Sequence, residues 1–339
     1  MMNNTNGTAP YREFSSMCFL FIPSIIVSVL GIPGTLITMR FYGKQVKKSK
    51  VATSLILTSL AVFDMLTLLL IIPMVGISIH LFYIDGWKQA KIFALFNAIS
   101  RSPRNCSNFM LLLIGIERLV SVAWPHKLSV IFTKRVGIVC VVIVCSVITP
   151  ITILPMAVEP ELVAIQGTEG KYFVRRLPQI NINIDLYNIF YQMTIMLYFL
   201  VPLGGVFICN ITLAILLLKR YRRDRLGRNQ STITPRQARE LKTTKLVIVV
   251  TIIFIICILP LVVIFPIQTT SGADIPIGGM LLIFPLSMLL ESITYSMNAV
   301  VYYIGNGTFR EEVRNTITTL RKLNNQHQVS PNNTVSTSL

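Results

Sequence analysis

Ile114-Gly115-Ile116-Glu117-Arg118-Leu119 closes a long apolar run with an acid and an arginine side by side. Charge within or at the end of a membrane helix is expensive, so it points first to a functional role. Reading outward from this pair, apolar runs of spanning length recur along the chain, and about 20 mostly apolar residues cross a bilayer. Seven runs reach that length, at about 18–39, 53–79, 92–116, 136–158, 186–218, 243–269 and 277–304. Arg101, Pro103 and Arg104 interrupt the third run, and Glu291 interrupts the seventh. Of the 339 residues, 53% are hydrophobic and 13% charged. A soluble domain carries roughly twice that charged share. The expected fold is an all-α membrane protein, a seven-helix transmembrane bundle followed by a short amphipathic helix.

The net charge of +17 suggests nucleic acid until its distribution is read. Arg40, Lys44, Lys47, Lys48 and Lys50 follow the first run, and Lys127, Lys134 and Arg135 lie between the third and fourth. A dense basic stretch from Lys219 to Lys245 joins the fifth to the sixth, and Arg310, Arg314, Arg321 and Lys322 follow the seventh. These are alternate connections, so they share one side of a membrane. The opposite connections balance Arg12, Lys88, Lys91, Lys171, Arg175 and Arg176 against Glu13, Asp85, Glu159, Glu161, Glu169, Asp185 and Asp274. Excess Lys and Arg marks the cytoplasmic side. The expectation is a multi-pass protein of the plasma membrane, amino terminus outside and carboxyl terminus inside. Its basic face meets anionic lipid headgroups and not nucleic acid.

Four segments follow from this pattern: an extracellular tail over 1–17, the membrane domain over 18–304, an amphipathic surface helix over 305–322 and a disordered cytoplasmic tail over 323–339. The start of the chain lacks the basic and apolar parts of a cleavable signal peptide. Asn3-Asn4-Thr5 and Asn6-Gly7-Thr8 make Asn3 and Asn6 glycosylation acceptors on the outside tail. The connection 157–185 carries Tyr172-Phe173-Val174 and two glycines, a pattern that suits a hairpin. Gly305-Asn306-Gly307 breaks the seventh helix, after which Phe309, Val313, Ile317 and Leu320 recur at helical spacing beside Arg310 and Arg314. All six cysteines fall within or beside apolar runs, so none is placed to staple an outside loop, and no Cys/His pair has metal-ligand spacing.

With these residues in place, the chain resembles the rhodopsin-like (class A) G-protein-coupled receptor family over roughly residues 18–322, in the manner of divergent invertebrate chemosensory or neuropeptide receptors. Leu60-Ala61-Val62-Phe63-Asp64 is similar to the family's Leu-Ala-x-x-Asp, Glu117-Arg118-Leu119 to Asp/Glu-Arg-Tyr, Cys257-Ile258-Leu259-Pro260 to Cys-Trp-x-Pro, and Asn298-Ala299-Val300-Val301-Tyr302 to Asn-Pro-x-x-Tyr. Pro202 in the fifth run and Trp87 in the first outside loop add to the likeness. The chain departs from the family at Thr35, Ile258, Ala299 and Asn210, which stand for asparagine, tryptophan, proline and tyrosine. It also lacks the family's outer cysteine pair. The resemblance implies no catalysis. It implies an extracellular ligand, a heterotrimeric G protein at the inner face, and arrestin capture of a phosphorylated tail through Ser330, Thr334, Ser336, Thr337 and Ser338.

The resemblance also assigns roles. Glu117, Arg118, Glu240, Phe254, Pro260, Asn298 and Tyr302 form the activation switch, with Glu240 latching Arg118 at rest and Phe254 repacking on activation. Against this stands the plainer reading that Glu240 only balances a basic connection and Phe254 is core. Asp64 is a lone carboxylate deep in the second run and needs a cation, a partner or a proton. The family suggests a sodium ion and waters bridging Asp64, Ser107 and Asn298, although Thr294 and Tyr295 replace oxygens usual there; hydration with protonation is the competing reading. No other cofactor is expected.

Arg101 and Arg104 lie seventeen and fourteen positions before Arg118, roughly 20–25 Å above it on a helix. Glu291 reaches a similar depth from the seventh run. Either Arg104 pairs with Glu291 and leaves Arg101 to a ligand, or both arginines clamp an anionic group such as a carboxylate, or one or both snorkel to the surface. Ser100 stands where amine receptors of the family carry aspartate, so a peptide or an anionic small molecule is the favoured ligand. A multi-span transporter or channel is the alternative function; internal repeats, which many transporters show, are not evident. An intramembrane hydrolase would need a Ser/His, paired-Asp or zinc set within the spans, and none is present.

Overall fold

A computed structural model describes residues 9–48, 51–81, 87–124, 126–157, 161–164, 172–175, 200–226, 248–249, 252–260 and 277–329. The elements in order are α1 (Ala9–Lys48), α2 (Thr53–Leu81), α3 (Trp87–Ala123), the single turn α4 (Leu128–Ile131), α5 (Lys134–Ala157), strands β1 (Glu161–Ala164) and β2 (Tyr172–Arg175), α6 (Val201–Leu226), α7 (252–260), α8 (Ile277–Gly305) and α9 (Gly307–Val329). Among the described residues, four helical stretches are long and apolar enough to cross a membrane: Phe21–Lys48, Thr53–Gly76, Leu95–Ala123 and Lys134–Ile153. Val201–Leu216 is a shorter apolar helix, and the rest of the fifth run and most of the sixth lie outside the described residues.

Three boundaries differ from the sequence reading. Helix α1 begins at Ala9 and not near 18, because Pro10 fits a first helical turn, where its missing N–H is not needed. Helix α3 continues past Ile116 to Ala123; Leu119, Val120, Val122 and Ala123 prolong the apolar helix until Trp124, whose proline neighbour disfavours it. Trp87 accordingly opens α3 instead of lying in a loop. Helix α9 runs on to Val329, so the tail over 323–329 is helical and not disordered. Its Asn, Gln and His residues are polar but hold no helix breaker before Pro331. Residues 330–339, Asn3, Asn6 and Glu240 lie outside the described residues.

Helix α3 sits at the centre of the packing, against α2, α5 and α6, while α1 lies along α2 and α8. A buried cluster including Phe41, Ile56, Leu60, Ile114, Phe254 and Phe309 ties α1, α2, α3, α7, α8 and α9 together. Leu30, Val142, Ile208 and Ile256 point outward and exposed, as apolar helices do when lipid is their solvent. Where α1 meets α8 the side chains are small. Ser28 Oγ donates to Ser292 Oγ at 3.1 Å, and Ser296 Oγ donates to the Val27 carbonyl at 3.1 Å. A Cβ on Gly31 would stand 2.1 Å from Ser296 Oγ. Without water to expel, membrane helices associate through such close approach.

The α1–α2 and α3–α5 connections meet at one end of the bundle, called here the inner end. Val51 bridges Thr133 in antiparallel fashion, Ala52 N–H donates to the Phe132 carbonyl at 3.0 Å, and Lys134 Nζ donates to the Val46 carbonyl at 3.2 Å. Asn306 Oδ1 caps α9, accepting from Thr308 N at 3.2 Å and Phe309 N at 3.4 Å. The Phe309 ring meets Phe41 edge-on at 5.2 Å, and Lys44 pairs with Glu312 across α1 and α9. At the far end β1 and β2 form an antiparallel hairpin with Glu161 opposite Arg175, as the composition of 157–185 suggests.

Candidate functional site

Helix α3 carries polar groups at three depths. At the inner end Glu117 is fully buried and Arg118 is 7% exposed. Arg118 Nη2 lies 3.5 Å from Glu117 Oε2. Thr53, the first residue of α2, donates its hydroxyl to Glu117 Oε1 at 2.5 Å. Ser121 Oγ donates to the Arg118 carbonyl at 2.7 Å. Arg118 Nε has no hydrogen-bond partner among the described residues, so this buried guanidinium still has a donor to give. Phe254 is buried in the core, whereas Pro260 is exposed on α7. Tyr302 is buried with its ring 5.5 Å from that of Tyr42.

At mid-depth Asp64 of α2 is 1% exposed. Ser107 Oγ of α3 donates to its Oδ1 at 2.5 Å, and Asn298 Nδ2 of α8 donates to its Oδ2 at 2.7 Å. Three helices are thus pinned by one carboxylate. A slit lined by Thr35, Thr38, Ala61, Asp64, Asn298 and Tyr302 adjoins it and is too narrow for a water molecule.

At the outer depth Arg104 of α3 pairs with Glu291 of α8, and their side chains are 13% and 10% exposed. The guanidinium also donates to Ser100, from Nε to its carbonyl at 3.2 Å and from Nη2 to its hydroxyl at 3.4 Å. Arg101 Nε donates to Asn97 Oδ1 at 3.1 Å. Asn108, one turn inward of Arg104, is 3% exposed, and its Oδ1 has no partner among the described residues. Tyr295 is buried on α8, four positions after Glu291.

The family model for the 7 transmembrane receptor (rhodopsin family) matches residues 35–302. The chain is a member of the rhodopsin family of seven-transmembrane receptors. No curated protein matches it.

The receptor's departures from the family each have a local consequence. Thr35 turns its hydroxyl to its own helix, to the carbonyls of Gly31 at 3.3 Å and Ile32 at 2.9 Å, and leaves Asp64 to α3 and α8. Ala299 lets α8 run unbroken to Gly305. Asn210 Nδ2 donates to the Val206 carbonyl at 2.9 Å, so it bonds its own helix. Ile258 is buried where an indole is usual. At the Asp64 site Asn298 presents Nδ2 to the carboxylate, and the Thr294 hydroxyl is given to the Leu290 carbonyl at 2.8 Å.

Of the residues singled out from sequence, Ser100, Arg104 and Glu291 come together. So do Asp64, Ser107 and Asn298, and Glu117 with Arg118. Arg101 lies one turn outward of Arg104 and bonds Asn97. Thr53, Asn97 and Tyr42 escaped notice; the one available signal was that Thr53 opens an apolar run, a favoured place for threonine. Asp64→Ala should lower the receptor's thermal stability in detergent by about 2–4 kcal/mol, because Ser107 and Asn298 are left unsatisfied. Asp64→Asn, which keeps an acceptor, should lose less than half of that. Equal losses would mean that the three-helix tie is not what Asp64 contributes.

Proposed function

We propose that the receptor binds an extracellular ligand with an anionic group, a peptide carboxyl end or a small anion, at its outer charged site and activates a heterotrimeric G protein at its inner end. It does so from the plasma membrane, with the amino terminus outside. The observation that carries this reading is Arg118: a buried guanidinium at the inner end, held by Glu117 and still owning an unused donor. A buried, half-satisfied cation is suited to exchange one partner for another when helices move. The sequence adds Glu240, twenty positions before Pro260, as a second anion for Arg118 at rest. Arg101 and Arg104 supply guanidinium forks for a carboxylate.

The test is nucleotide exchange on a purified G protein by the receptor in lipid nanodiscs. Glu240→Ala is expected to raise ligand-free exchange several-fold, the response to about 1 kcal/mol of lost restraint. Exchange that stays at background in wild type and variant alike, together with solute flux through receptor-containing vesicles, would instead favour a transporter.

A further inference from the structure

Arg104 and Glu291 join α3 to α8 through two side chains that are nine-tenths buried or close to it. Each neutralises the other in surroundings poor in water, where removing one partner strands the other. A ligand with a lone carboxylate that draws Arg104 away leaves Glu291 uncompensated. A lone cation that binds Glu291 strands Arg104. Either loss is on the order of a hundredfold in affinity. A ligand carrying both charges escapes it, because its carboxylate meets Arg104 while its ammonium meets Glu291. We infer that the Arg104–Glu291 ion pair is a receptor site for a small zwitterion, a carboxylate and an ammonium a few bonds apart, as in an amino acid or a short peptide with free ends. The inference rests on the outer charged site being the ligand site.

The surroundings give the exchange a direction. Arg101 lies three positions from Arg104 on the same face of α3 and is fixed by Asn97. Arg104 on α3 and Glu291 on α8 seat the carboxylate toward α3 and the ammonium toward α8. Asn108 Oδ1, buried and without a partner among the described residues, offers an acceptor on the α3 side for a further ligand N–H. Ser100 holds the Arg104 guanidinium from its own helix, so Arg104 stays in place when Glu291 changes partner.

The experiment uses the full-length receptor in nanodiscs and reads its thermal unfolding midpoint. Glycine, 4-aminobutyrate and glycylglycine are the zwitterions. N-acetylglycine and glycinamide are the single-charge controls, all at equal millimolar concentration. Wild type should be stabilised by at least one zwitterion and by neither control, and Arg104→Ala/Glu291→Ala by none of the five. Glycylglycine acting alone would mark a peptide ligand, and glycine or 4-aminobutyrate acting alone a free amino acid. In Glu291→Gln the order should invert, with N-acetylglycine binding at least tenfold better than to wild type; in Arg104→Gln glycinamide should gain likewise. N-acetylglycine or glycinamide stabilising wild type as well as a zwitterion does would overturn the inference. So would the absence of any shift in wild type, whether or not Glu291→Gln responds to N-acetylglycine, because the pair would then be a fixed strut. Nucleotide exchange by Glu240→Ala is independent of the outer site, so its failure would refute signalling without touching the zwitterion result.

Discussion

Gly31→Val should cost the receptor about 3 kcal/mol or more of stability and leave little of it folded in cells, the upper end of what overpacking a tight interface does. The cause is direct. A Cβ at Gly31 would lie 2.1 Å from Ser296 Oγ, 2.8 Å from Ser296 Cβ and 3.0 Å from Leu68 Cδ1. The Ser296 atoms sit at the root of a side chain on α8, so the helix itself must retreat. That retreat breaks the bonds Ser28–Ser292 and Ser296–Val27, which depend on the same approach. Gly31→Ala should cost about 1–3 kcal/mol. Gly31→Ala/Ser296→Gly should recover most of it, since only the flexible tip of Leu68 is then crowded. Thermal unfolding in detergent and surface expression read both. A Gly31→Ala receptor that melts with wild type would show that α1 and α8 do not meet there.

Glu117→Gln should raise ligand-free nucleotide exchange on a G protein roughly five- to thirtyfold, what 1–2 kcal/mol does to a two-state balance. Glu117 is fully buried, so its charge acts on Arg118 with little screening. Thr53 holds the carboxylate in position from α2, which makes Thr53→Val a milder change in the same direction. A hydrogen bond to a charged group contributes about 1.5–3 kcal/mol, and only part of it is lost to the pair. Glu117→Asp, which keeps the charge but shortens the reach, should fall between wild type and Glu117→Gln. Exchange that is flat across all three variants would remove the Glu117–Arg118 pair from the switch.

Much of this molecule is legible along the chain because lipid imposes a simple grammar. Backbone groups in hydrocarbon must bond within their own helix, so length and apolarity alone outline the spans. The cost of charge at that depth singles out Asp64, Arg104, Arg118 and Glu291. Helical rise then sets Arg104 level with Glu291 and Ser107 level with Asp64, and the packed side chains meet at those levels. What escapes the reading has no periodic signal. Thr53 reaches Glu117 because the start of α2 folds against the end of α3, 64 positions away. The small residues Ser28 and Gly31 of α1 match Ser292 and Ser296 of α8, but small residues are common in apolar runs, and only their partners give them meaning. The helix from 323 to 329 is hidden because its polar composition suits a disordered tail equally well, while the last turns of α9 simply continue a helix already nucleated and capped at Asn306.

The clasp between Val51 and Thr133, with Ala52 bonded to Phe132 and Lys134 to Val46, divides the inner end mechanically. The starts of α2 and α5 and the end of α1 are welded into one anvil. Parting the starts of α2 and α5 would cost the Ala52–Phe132 bond, and drawing α1 off α5 the Lys134–Val46 bond, so these three ends resist sliding past one another.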